Sequence, residues 1–458
     1  MPKILKKIFS EKQSFIAGAA IIAAGGFISK ILGALYRIPL TNILGCEGMG
    51  IYQMVYPLYC ILLTVSASGI PAGIARLIAS GKAEGAEKSA FRLYGFIGAI
   101  GAVVMFMLAR PLARIQGEPA VELCCKLLSP AVFFVAILSV VRGYFQGKHN
   151  MIPTAFTEIC EQLLKVLAGV AFALQLKNNM ELAVAFTLLA VTLSEGLSAL
   201  FAYILYKGER RRASLFTMRG ASFSSILKYT VPITFTAIAL PLSQLAESIV
   251  AVNLLRATAE DATALYGIFS GCAVTIINLP VSVTYGLAAA SVPQIAPVAA
   301  SGDMQSAKSA AFKTLLITLA VSVPFAVALY VFAPLAQRII FRSLTQAQAA
   351  LLIKLVRIMS VNAVTLSVMQ TASACLTALG TPLKATVTQW ITCFMRVALT
   401  AVLIKYATLS VEGAAIAANV SYFVAAALNL WYIMRAGGAY ENNAYRARRA
   451  GRRSQRQG

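Results

Sequence analysis

Predominantly apolar runs of about 20 residues recur along the whole of this 458-residue chain. A run of that length is what an α-helix needs to cross the ~30 Å hydrocarbon layer of a bilayer. Inside that layer each backbone N–H and C=O must be satisfied within the spanning structure, which an α-helix does by itself. Composition agrees with the runs: 59% of residues are hydrophobic, 12% are charged, and the mean hydropathy is +0.76. An ordinary soluble domain keeps about a quarter of its residues charged, so this chain has too little polar surface to cover a water-soluble globule. It reads as an all-α integral membrane protein, which excludes most soluble enzymes and any free nucleic-acid binder.

Twelve spans are expected, at about 15–36, 50–72, 91–112, 123–145, 153–176, 182–206, 226–252, 264–290, 311–336, 351–378, 384–405 and 412–435. The first follows Lys3, Lys6, Lys7 and Lys12 as a signal peptide would, but its apolar run is longer than a typical signal core and no small-residue cleavage site follows cleanly. It is read as a retained span. The gaps are too short for a folded extramembrane domain, and no GxxxxGK[ST] phosphate loop occurs, so an ATPase motor is not expected. The glycine-rich stretch Gly45 to Gly50 lies between two spans with no strand before it and reads as a turn.

Lys and Arg number 40 against 17 acids, a net charge of +23. Among apolar spans this favours cytoplasmic loops and anionic lipid headgroups over nucleic acid. With the N-terminus inside, 26 basic residues fall on the inner side and 11 on the outer, with Lys30, Lys165 and Arg396 inside spans. That bias predicts cytoplasmic termini. The eight cysteines are scattered without metal-ligand spacing, and His149 is the only histidine. No metal site, disulfide framework or cofactor is expected.

The chain also looks duplicated. Tyr52 and the segment from Ser66 run parallel to Tyr266 and the segment from Ser282, at offsets of 214 and 216. Phe145 to Gly147 and Lys165 run parallel to Ala378 to Gly380 and Arg396, at 233 and 231. The expected organisation is a basic N-terminus (1–14), a six-helix bundle (15–206), a basic linker (207–225), a second six-helix bundle (226–435) and a basic tail (436–458). Two even-numbered halves are parallel copies, an arrangement that places a transporter's site between them.

Charges inside spans need a reason, since each costs about 2.5–3.5 kcal/mol or more at mid-bilayer. Gly26, Lys30, Gly33 and Arg37 share one face of the first span, where Arg37 could instead snorkel to the interface. Glu158, Glu161 and Lys165 share a face of the fifth, with Glu161 and Lys165 spaced i, i+4 for mutual neutralisation. Arg396 has no acid in its own span; Glu195 lies in the sixth, and Gln244 and Glu247 share a face of the seventh. The cavity cations are therefore Lys30, Arg37, Arg396 and, less freely, Lys165. The acids available for coupling or pairing are Glu158, Glu161, Glu195 and Glu247.

The stretch Ser29-Lys30-Ile31-Leu32-Gly33 with Arg37 resembles a known family. So do Gly48 through Tyr52, Ser68 through Pro71, Ala75 to Leu77, and Arg142 to Gly147 with Pro153, Glu161 and Gln162. From about residue 10 to 435 the chain resembles the polysaccharide-export and flippase branch of the multidrug/oligosaccharidyl-lipid/polysaccharide superfamily, near its stage V sporulation B-type and lipid II flippase-like members. The resemblance implies a V-shaped pair of six-helix bundles that moves undecaprenyl-diphosphate-linked glycans or peptidoglycan precursors outward by alternating access. Lys30 stands where an arginine is common in the branch, keeping the charge without the bidentate fork. Twelve spans are read here, where lipid II flippases proper have two more.

The leading expectation is a non-enzymatic flippase of a bacterial cell membrane. Its partners would be a lipid-linked oligosaccharide substrate, anionic membrane lipids and cell-wall or polysaccharide synthesis machinery. The alternative is a Na⁺- or H⁺-coupled multidrug or metabolite exporter, disfavoured by the lack of any aspartate within a span but kept open by Glu158, Glu161 and Glu195.

Overall fold

The structure, a computed structural model, describes residues 15–67, 69–79, 86–210, 231, 234–407 and 409–436. The expected N-terminal segment 1–14, most of the 207–225 linker and nearly all of the 436–458 tail lie outside the described residues. Among those described, the chain is helical with no strand: α1 (Phe15–Ala67), α2 (Ile70–Ala79), α3 (Ala86–Gln116), α4 (Ala120–Gly147), α5 (Ile152–Gln175), α6 (Met180–Arg210), α7 (Ala239–Arg256), α8 (Ala262–Ala300), α9 (Met304–Val331), α10 (Ala333–Ile340), α11 (Gln346–Ala378), α12 (Pro382–Lys405) and α13 (Glu412–Met434).

Ten described helices are long and apolar enough to cross a membrane. The ten become twelve crossings for two reasons. At 53 residues, α1 is about 80 Å long, enough for two passes. Between them Gly45 takes φ 67° and ψ −173°, a conformation open to glycine but strained for other residues, and the helix breaks there. The turn expected over Gly45 to Gly50 is therefore a one-residue break, with Cys46 to Gly50 already helical. The second addition is α5, whose Glu158, Glu161 and Lys165 lower its hydropathy. Large apolar side chains such as Phe96, Met107, Leu167, Leu316 and Phe394 remain exposed on the perimeter, as a lipid-facing surface requires.

Local chemistry marks several helix ends. The Asp303 carboxylate accepts from the Ser306 N–H at 2.9 Å to cap α9. Thr345 and Gln348 form a reciprocal capping box on α11. Within α8, residues Gly267–Ala273 form a π-helical segment. The carbonyl of Ser270 in that segment accepts a 2.7 Å hydrogen bond from Gln53.

Core packing divides the molecule into two halves joined at one end. A single apolar core runs from Leu40, Leu44 and Met49 of α1 into Ile268, Phe269 and Cys272 of α8. At the opposite end the core splits. Ile70, Tyr94 and Val140 cluster with the first half, as do Tyr144 and Tyr206, whereas Ile295, Leu315, Leu376 and Ile433 form a separate core in the second. Polar contacts repeat the pattern at the joined end. Asn42 Nδ2 donates to the Ile340 carbonyl at 2.7 Å, Gln116 Nε2 to Ser248 Oγ at 3.1 Å, Arg256 Nη1 to the Gln116 carbonyl at 2.6 Å, and Thr263 Oγ1 to Glu118 Oε2 at 3.1 Å. Gly267 lies so close to the Cys46 carbonyl that a Cβ would overlap it. The halves thus diverge from a tight seal, the V shape that the family resemblance implied.

Candidate functional site

Two connected chambers lie between the halves. The larger, about 560 Å³, is bordered by Arg37, Gln53, Gln244, Glu247, Asn362, Gln389, Arg396 and Tyr422 among others. The smaller, about 370 Å³, is bordered by Lys30, Arg37, Gln162, Lys165, Asn278, Tyr285 and Gln370 among others. Arg37, Tyr56, Asn278, Tyr285 and Gln370 border both.

The smaller chamber gathers cations. Lys30 and Arg37 come from the first pass of α1, two turns apart on one face, and Lys165 from α5 across from them. Lys30 is exposed as a residue, but its ammonium sits over the Tyr285 ring, 2.6 Å from the centroid. Arg37 is half-buried, and Lys165 is 8% exposed. Among the described residues no carboxylate borders this chamber, and none of the three cations makes an ion pair. Four of its lining residues, Ser29, Tyr36, Gln162 and Gln370, carry a buried polar oxygen with no hydrogen-bond partner among the described residues. Such atoms in a roomy polar site are unsatisfied until water or a ligand meets them.

Arg396 differs from the other three. Its Nε and Nη2 donate to Glu247 Oε1 and Oε2 at 2.9 and 2.7 Å, and Nη1 donates to the Tyr422 hydroxyl at 2.6 Å. The bidentate pair is buried, with side chains 8% and 2% exposed. Arg396 therefore borders the larger chamber with its charge already matched from α7. The lack of an acid in its own helix was no guide to its partner.

The acids of the first half are also partly spoken for. Glu161 Oε2 accepts from Arg142 Nη2 at 3.0 Å, and Oε1 from Gln162 at 3.2 Å. Glu161 thus forms an ion pair across to α4, while Lys165, its i, i+4 neighbour, lies within electrostatic reach of the same carboxylate without a direct contact. Arg142, counted from sequence with the inner-side cations although it falls within the span expected at 123–145, lies inside α4, half-buried between Thr157 and Glu161. Glu195 is buried and accepts from the Tyr59 hydroxyl at 3.3 Å. Glu158 is half-buried beside Gly26 of α1 with no ion pair among the described residues. Tyr285, Tyr422 and Gln370 were not singled out from sequence, where uncharged residues in apolar helices carry little signal.

Among the described residues no group of histidine, cysteine and acidic side chains could hold a metal. A multi-pass helical fold with a polar cavity between two halves defines a membrane transporter. A solved structure of an inward-facing multidrug resistance MATE family transporter of the MOP superfamily matches with a TM-score of 0.76 over 90% of this chain and 96% of that one, at 19% identity, so the likeness concerns the fold.

Residues 15–298 match the family described as polysaccharide biosynthesis protein, and the chain belongs to that family. It is similar to stage V sporulation protein B of Bacillus subtilis (strain 168), 28% identical over 353 residues, covering 72% of this chain and 68% of the relative. It is also similar to the lipid II flippase MurJ of the same organism, 25% identical over 263 residues, covering 50% of this chain and 48% of the relative.

Proposed function

We propose that this transporter flips a lipid-linked, undecaprenyl-diphosphate-type glycan or peptidoglycan precursor from the inner to the outer leaflet by alternating access. The observation that carries the reading is the smaller chamber, where Lys30, Arg37 and Lys165 converge with no carboxylate on its border among the described residues. A diphosphate presents several charged acceptor oxygens, and charge-assisted hydrogen bonds are roughly twice as strong as neutral ones. The amide-rich larger chamber would take the glycan. Arg396 belongs to the wall of that chamber as one half of an ion pair, so Lys30, Arg37 and Lys165 are the phosphate-binding set.

The relatives named for sporulation and for lipid II flipping support this substrate class. The basic-residue bias supports cytoplasmic termini in a bacterial plasma membrane, which makes the joined end the outer end and the open end the inner one. On this reading the protein binds and moves its substrate without changing it, beside anionic lipids and cell-wall or polysaccharide synthesis enzymes. An exporter of cationic drugs is disfavoured by the state of Glu247, the acid that borders the larger chamber, because Arg396 neutralises it.

The test is flipping of a fluorescent short-chain polyprenyl-diphosphate sugar by the purified chain in liposomes, read by quenching of the exposed leaflet. Lys30→Ala and Lys165→Ala should each weaken substrate binding roughly 10- to 100-fold, the worth of a charged hydrogen bond. Lys30→Arg should keep activity. Undiminished flipping by a Lys30→Ala/Lys165→Ala variant present at normal membrane abundance would remove the diphosphate site.

A further inference from the structure

Cys46 and Cys272 come from opposite halves and meet inside the seal. Cys46 is the first residue beyond the Gly45 break, and Cys272 lies in the π-helical segment of α8. The two thiols are neighbours in one buried core, 3% and 0% exposed, and both are free. The backbones around them touch: Gly267 faces the Cys46 carbonyl and Met49 packs onto Gly271, leaving no room for a side chain at either glycine without a shift. Both thiols are therefore held in place by contacts that exist only while the halves are joined.

We propose that Cys46 and Cys272 form a redox-sensitive lock, whose oxidation to a disulfide ties the halves together at the seal and arrests the rocking that transport needs. Burial protects the thiols while the seal is closed, so reaction begins when it opens. A small disulfide then meets one thiolate; a mixed disulfide forms and the first small thiol leaves. On reclosure the second protein thiolate attacks the protein sulfur of that mixed disulfide, forming the Cys46–Cys272 bond and expelling the second small thiol. Two protein thiols are oxidised, one small disulfide is reduced to two thiols, and the two cysteine protons pass to them. An added dithiol reverses the step. The outer face of a cell membrane, where the proposed orientation places this pair, is the side on which disulfides persist.

The experiment uses the full chain in liposomes, incubated with oxidised glutathione, then alkylated, digested without reduction and mapped by mass spectrometry. Amide hydrogen exchange over residues 42–50 and 262–273 reports opening of the seal whatever the substrate proves to be, so a failed flipping assay leaves this arm readable. The expected result is a Cys46–Cys272 cross-linked peptide, exchange in both segments slowed at least tenfold, and recovery with dithiothreitol. Cys46→Ser and Cys272→Ala, made separately in case one of them misfolds, should each lose the oxidant response. Absence of the cross-linked peptide after prolonged oxidation of folded protein overturns the proposal, as does a cross-link that leaves exchange unchanged.

Discussion

The Arg396–Glu247 pair tests whether a cavity-lining charge holds the fold or binds the cargo. Removing one partner leaves the other charge buried without a counter-ion, which typically costs about 3–5 kcal/mol. An independent estimate is consistent: two unit charges at about 4 Å interact by about 4 kcal/mol at an effective dielectric constant of 20. The two short hydrogen bonds, at 2.7 and 2.9 Å, place this pair at the strong end of that range. Glu247→Gln and Arg396→Gln should therefore each destabilise the protein by about 3 kcal/mol or more, whereas Glu247→Leu with Arg396→Met should be within about 1–2 kcal/mol of the parent. The assay is a double-mutant cycle on reversible unfolding in mixed micelles, with flipping measured on the same preparations. A near-zero coupling energy would refute the argument from burial. If Arg396→Gln abolished flipping while stability stayed at the parent level, Arg396 would return to the substrate-binding set.

Two further outcomes follow from the geometry. In a cysteine-free background, a cysteine at the exposed Glu47 should react with an impermeant maleimide in intact cells and one at Lys207 should not; the reverse pattern would invert the proposed orientation and the direction of transport. Gly267→Ala places a methyl against the Cys46 carbonyl, so it should loosen the seal and raise labelling of Met49→Cys from the outer side, with unchanged labelling meaning that the seal absorbs the methyl.

Much of this architecture was legible in the sequence because a bilayer imposes one dominant length scale. Twelve apolar stretches, a missing ATPase motif and the face shared by Lys30 and Arg37 all follow from helical periodicity read locally. What periodicity leaves open is the partner across the interface. Glu247 lies 149 residues before Arg396, and nothing in either helix says which charge will meet it. The same limit hid Arg142 on the neighbouring helix, which makes the direct ion pair with Glu161 beside the i, i+4 Lys165. The glycines from Gly45 to Gly50 misled for another reason. A turn and a close helix contact both favour glycine, and here Gly45 serves the first while Gly50, against the Thr263 carbonyl, serves the second.

The π-helical segment Gly267–Ala273 gives α8 something akin to a reading frame. A π turn holds about one residue more than an α turn, so everything after Ala273 is rotated by about 100° relative to an uninterrupted α-helix. Beyond it, Thr275, Asn278, Ser282 and Tyr285 border the cation-lined chamber, and Ile276, Leu279, Pro280 and Val283 border an apolar groove on the adjoining face. The two rows are offset by a single position. Deleting one residue just beyond Ala273, where the helix is plain α and has no extra residue to give up, would bring the apolar row to where the polar row stands and turn Asn278 and Ser282 away from the cavity, whereas a deletion within Gly267–Ala273 would remove the π turn and leave both rows in place. An indel that most surface loops would absorb is thus a frameshift in three dimensions, altering the whole cavity face of α8 while changing none of its side chains.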